Sequence, residues 1–130
     1  MDPMPATATD ADIIAVVDRW AALLEADDYQ AACNLISLAE GIGWTPDTMR
    51  SAVQSYDEAR PGQKVTLVGL PTDVTQRKDI DPWEPPRADV LGEVWYDLNI
   101  DGFASDLTAT FDIVAEPAGL LLRLCDLHVM

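Results

Sequence analysis

The chain has 130 residues, a hydrophobic content of 48% and a formal net charge of −15. That length predicts one domain with a core of its own. Eight Lys and Arg against 23 Asp and Glu exclude a large basic patch, and with it nucleic-acid binding; docking on anionic membranes is disfavoured, and a basic protein partner is favoured.

Residues 1–8 are expected to be a disordered tail without signal-peptide character, and residues 9–130 a single α+β domain. Thr9 caps a first helix, with Asp10 and Asp12 in its first turn. Ile13, Val16, Val17, Trp20, Leu23 and Leu24 form its apolar stripe. Asp27 and Asp28 open a second helix, with Tyr29, Ala32, Cys33 and Ile36 inward and Gly41 and Gly43 at its end. Thr45 and Pro46 start a third, with Met49, Val53 and Tyr56 on one face and Pro61-Gly62 as its stop.

Residues 64–70 read as a strand, with Val65 and Leu67 on one face and Pro71 making it an edge or its end. Residues 75–87 are charged and Pro-rich and read as a surface loop. Trp83 within it is either a lid over the core, the preferred placement, or an exposed protein contact.

Three long strands follow, at 90–100, 107–115 and 120–130. Each alternates apolar and polar residues with period two, the pattern of a strand with one buried face. Asp101-Gly102 predicts a two-residue hairpin turn, because both central positions need positive φ. Pro117-Ala118 predicts a second turn. The resulting register pairs Ile100 with Phe103, Tyr96 with Leu107, Val94 with Ala109 and Val90 with Ile113. It then pairs Phe111 with Leu124, Ile113 with Leu122, Ala109 with Asp126, and Leu107 with His128. Asp112 falls opposite Arg123, a favourable pair, but Asp97 falls opposite Asp106, which points to a bulge or a longer loop around residues 101–105.

No cofactor or metal is expected. There is no glycine-rich phosphate loop, no Gly-x-Ser-x-Gly, and one histidine with no cysteine cluster. Cys33 and Cys125 fit reduced core residues of a cytoplasmic protein.

The stretch 15–36, with Trp20, Leu23-Leu24, Asp28-Tyr29 and Ala31-Ala32, resembles the opening of nuclear-transport-factor-type proteins. The order of elements resembles them over the whole domain. That resemblance implies a cystatin-like α+β cone: three helices on a curved, mostly antiparallel sheet of about four strands. Ser105-Asp106-Leu107-Thr108 and Asp126-Leu127-His128-Val129 resemble the ending of a small bacterial family of unknown function, which implies no activity.

The register brings Tyr96, Asp126 and His128 to the inner face, the candidate catalytic residues of this chain. The structural reading is that they satisfy one another. Outside, Leu91, Trp95, Leu121, Cys125, Leu127 and Val129 form an apolar patch, with Trp95 and Leu127 in one row as protein-contact candidates. A homodimer through that face is expected, with cover by the 75–87 loop as the competing arrangement. The leading expectation is therefore a non-enzymatic protein-binding module, of inhibitor or immunity type, for a basic partner. The alternative is a small-molecule enzyme or carrier using the polar cluster in a hollow cone.

Overall fold

A computed structural model describes residues 3–38, 43–57, 59–60, 62–71 and 76–129. Three helices pack on an open, mostly antiparallel sheet, so the fold is α+β. The helices are α1 (Asp10–Glu25), α2 (Tyr29–Leu35) and α3 (Pro46–Gln54). The strands are β1 (Ser37–Leu38), β2 (Val65–Thr66), β3 (Lys78–Arg87), β4 (Val90–Ile100), β5 (Phe103–Glu116) and β6 (Gly119–Val129). Their order is β1-β6-β5-β4-β2, and β3 lies beside β4 on the same edge as β2. The sheet thus has two more strands than expected from sequence, and β1 and β2 are only two residues long.

Local signals place the helices. Thr9 and Asp12 form a reciprocal capping box on α1, and Thr45 and Thr48 one on α3, where Pro46 takes the first helical position. Asp28 caps α2 by accepting from the Ala31 amide. Helix α2 stops at Leu35, where Ile36 turns extended into β1, rather than at Gly43. Ser37 and Leu38 pair in parallel with Arg123 and Leu124 of β6, and this tertiary pairing ends the helix. Tyr56 lies beyond the end of α3. Gly41, Pro61, Thr75 and Met130 lie outside the described residues. Met4, inside the stretch expected to be a tail, exchanges two hydrogen bonds of 2.8 Å with Leu120. Gly119 permits this approach, since a Cβ there would meet the Met4 carbonyl oxygen at 1.9 Å.

Trp20 of α1 is fully buried, its ring perpendicular to that of Phe111 with centroids 5.1 Å apart. Leu24, Met49, Val53, Leu122 and Leu124 fill the space around them.

The Pro-rich stretch is a strand, not a loop. Lys78–Pro82 pairs antiparallel with Tyr96–Gly92, and Arg87 returns opposite Val90. Proline and charge, which read as loop signals, are what an edge strand carries: among the described residues its outer rim pairs with no strand, so missing donors cost little and charges repel a second sheet. Trp83 is half-buried beneath the Arg87 guanidinium, 5.2 Å from the ring centre. It is not part of the core and does not act as its lid.

Candidate functional site

The β4–β5 turn is the tight two-residue one expected, with φ of 51° at Asp101 and 82° at Gly102. The irregularity lies further along. Asn99 pairs with Ala104 but Asp97 with Thr108, so Ser105, Asp106 and Leu107 together stand opposite Leu98. Tyr96 consequently meets Ala109, not Leu107, and Val94 meets Phe111. The bulge also removes the expected clash of Asp97 with Asp106. Asp97 instead accepts from the Thr108 hydroxyl at 2.8 Å and the Arg77 guanidinium at 3.1 Å.

A second bulge decides the site. Phe111 pairs with Leu124 as expected, but Thr110 pairs with Asp126, leaving Cys125 as an extra residue in β6. Every residue after it changes face, because side chains alternate with period two. Leu127 turns inward opposite Ala109 and is 8% exposed. Asp126 and His128 turn outward, opposite Thr110 and Thr108. The candidate cluster is therefore not assembled: Tyr96 is inside, while Asp126 and His128 are on the other side of the sheet. Leu127 is a core residue here, no longer in Trp95's outward row.

Tyr96 has a different partner. Its hydroxyl donates to Asp18 Oδ1 at 2.5 Å, and Lys78 Nζ donates to the same oxygen at 2.9 Å from 5.3 Å over the Tyr96 ring. Burial, then the hydrogen bond and charge of Asp18, push the phenol well above its ordinary range. The Tyr96 hydroxyl is held as a hydrogen-bond donor to Asp18. Asp18 sits one helical residue off the apolar stripe of α1; that position was the only available sequence signal for it.

The outer face is built in rows across β3, β4, β5 and β6. One row holds Asp79, Trp95, Thr110 and Asp126; the next holds Asp81, Glu93, Asp112 and Arg123. A third brings Asp97, Thr108 and His128 together, with Arg77 bonded to Asp97 at its end. Arg77 also lies 5.2 Å from the centre of the Trp95 ring, and His128 stands edge-on to Trp95 at 6.4 Å. His128 Nδ1 is 3.1 Å from Asp126 Oδ2. Arg123 donates to Asp112 at 2.7 Å, the outward pair that the register predicted. Asp112 raises the Arg123 pKa, chiefly through that hydrogen bond. Burial, then Asp112, push the Cys125 thiol up to about 11. Arg77 carries no pattern signal, since its stretch reads as loop.

The expected apolar patch is thinner than its sequence. Leu127 and Val129 turn to the inner side, and Leu91, the extra residue in a bulge between Val90 and Gly92, packs against the core. Trp95, Leu121 and Cys125 are half-buried and remain outside it.

At the end of the sheet, Tyr56, Asp57, Arg60, Asp106 and Val129 line an open groove of about 530 Å³. Its polar groups are paired among themselves: Tyr56 with Asp106, and Arg60 with Asp57 at 3.1 Å. The hydrogen bond to Asp106 raises the Tyr56 pKa. Backbone donation from Ala59, then Arg60, holds Asp57 below the usual carboxylate range. Among the described residues no group of three His, Cys, Asp or Glu could hold a metal ion, and no helix is long and apolar enough to cross a membrane. No protein-family model, curated protein or solved structure matches the chain.

Proposed function

We propose that this protein is a non-enzymatic binding module whose partner is a basic protein, docked on the outer sheet face around Trp95. The observation that carries the reading is the charge of that face. Asp79, Asp81, Glu93, Asp97, Asp112 and Asp126 share it, and two of its guanidiniums, Arg77 and Arg123, are already paired with Asp97 and Asp112. Such a surface steers a cationic partner and holds a half-buried aromatic residue at its centre, the residue type that anchors protein contacts. An inhibitor or immunity-type role suits it.

The interior supports the same reading. Trp20, Phe111 and Leu124 are fully buried where an enzyme or carrier of this shape needs open space. The alternative, small-molecule chemistry by Tyr96, Asp126 and His128, requires groups that stand on two faces. A homodimer on the outer face would retain Trp95, Leu121 and Cys125 as apolar contacts but set the six carboxylates against their own copies; a basic partner answers that charge better. On element order we read the fold as a cystatin-like cone of nuclear-transport-factor type. Two free cysteines favour a cytoplasmic setting.

Calorimetric titration with an arginine-rich decapeptide at about 150 mM salt tests the proposal. Asp79→Asn/Asp81→Asn and Trp95→Ala should each weaken binding by about tenfold. Asp10→Asn/Asp47→Asn removes equal charge from the helical side and should change it far less. Equal losses from both double variants would reduce the effect to net charge and overturn the assigned face.

A further inference from the structure

Five large apolar side chains are exposed among the described residues, and four of them stand together: Leu67 (44% exposed), Val68 (70%), Leu70 (50%) and Phe103 (54%). They form a ridge where residues 67–70 lie along the tip of the β4–β5 hairpin. Leu70 donates to the Gly102 carbonyl at 2.8 Å and accepts from the Ala104 amide at 2.9 Å, in a parallel bridge to Phe103. Asn99 holds the Leu67 carbonyl at 3.1 Å, and Glu25 holds the Leu67 amide at 2.7 Å. Thr66 Oγ1 joins the Gly102 amide to the Val68 carbonyl. Gly69 makes the close approach possible, because a Cβ there would meet Asn99 Oδ1 at 2.3 Å. The backbone is thus tied down at Leu67, Val68 and Leu70, while their apolar side chains face water. Single exposed apolar residues are ordinary; a contiguous, rigidly mounted set marks a contact surface.

We infer that this ridge is a self-association surface, on which a second copy of the chain docks. Local charge favours that occupant. Residues 62–70 and 98–105 contain one Lys and one Asp, Lys64 and Asp101, so this region is neutral in a chain of −15. With Glu25 beside it, it is the place where two strongly acidic copies can touch with little local repulsion, whereas the outer sheet face opposes six carboxylates. A cationic partner gains nothing from a neutral ridge, and anionic lipid is repelled by the chain as a whole. The area sets the strength. The four residues expose roughly 400 Å² together, so two facing ridges remove at most roughly 800 Å² from water, the size of a weak, transient contact.

Sedimentation of the full chain from about 1 to 100 μM, in about 150 mM salt, reads the outcome. The mass should rise from 14.2 kDa toward twice that value, and rise further at higher salt as repulsion is screened. Val68→Asp and Phe103→Asp should each hold it at 14.2 kDa with an unchanged circular dichroism spectrum and melt. Trp95→Ala should leave the dimer intact. A wild-type mass of 14.2 kDa throughout, or a dimer that survives both ridge variants, overturns the inference. So does co-sedimentation with phosphatidylcholine vesicles that Val68→Asp abolishes, since lipid would then be the occupant. Loss of the dimer in Trp95→Ala alone would place association on the outer face.

Discussion

Leu124 and Leu127 both face the core of β6, although three residues separate them. In a regular strand, positions i and i+3 lie on opposite faces, so their common burial requires the extra residue at Cys125. That bulge carries Asp126 and His128 out of the interior. It also sets Trp44, whose indole donates to the Cys125 carbonyl at 3.4 Å.

Truncation at this point distinguishes the two registers. Leu127→Ala should destabilise the fold by about 2–4 kcal/mol, because the side chain is buried in the core opposite Ala109. Asp126→Ala, at an exposed position, should cost under about 1 kcal/mol. Urea denaturation of both variants checks this, and the reverse ranking would restore the unbulged register.

Tyr96 and His128 lie on opposite sides of the sheet with different partners, Asp18 and Asp126. The effects of Tyr96→Phe and His128→Ala on stability should therefore add to within about 0.5 kcal/mol. A coupling well above about 1 kcal/mol would mean that the two side chains meet.

The Asp112–Arg123 pair also stands beside Glu93, which is directly opposite Asp112. Arg123→Gln should cost about 1–2 kcal/mol, since it leaves two carboxylates facing each other across the sheet. Adding Glu93→Gln should recover part of that loss. Melts at low and high salt check the origin: screening should shrink the Arg123→Gln effect.

Alkaline pH should weaken the fold through buried acids. The Cys125 thiol rises from 9.0 to about 11, and burial, followed by Asp27, raises the Tyr29 phenol from 10.0 to about 12. Both groups hold their protons more tightly when folded. Their contribution is complete below the unfolded values, and is lost as pH climbs through the folded ones. Stability should fall from about pH 9 to about pH 12, and Cys125→Ala should flatten the part between about 9 and 11. Urea midpoints across that range measure it; a flat wild-type profile would contradict the burial of both groups.

The sequence by itself determined what depends on neighbours along the chain. Thr9, Asp28 and Thr45-Pro46 cap the helices because capping uses groups two or three residues away. Asp101-Gly102 closes its hairpin because positive φ is a property of those two residues. The inward stripe of α1 and the Asp112–Arg123 pair follow from period alone. Only the tertiary structure decided where the period breaks. The bulge at Ser105–Leu107 left a trace in the Asp97–Asp106 clash, but those at Leu91 and Cys125 leave no composition signal, since each is set by the fit of two strands to each other and to the helices beneath. One inserted residue reverses every side chain after it, so Asp126 and His128 left the interior while Leu127 entered. Proline and charge in Lys78–Arg87 describe an edge strand and a loop equally well; the choice was made by a β4 flank available for pairing. Residues 64–70 read as one strand, but only Val65 and Thr66 form one, Leu70 makes a single bridge to Phe103, and Leu67, Val68 and Leu70 emerged on the surface.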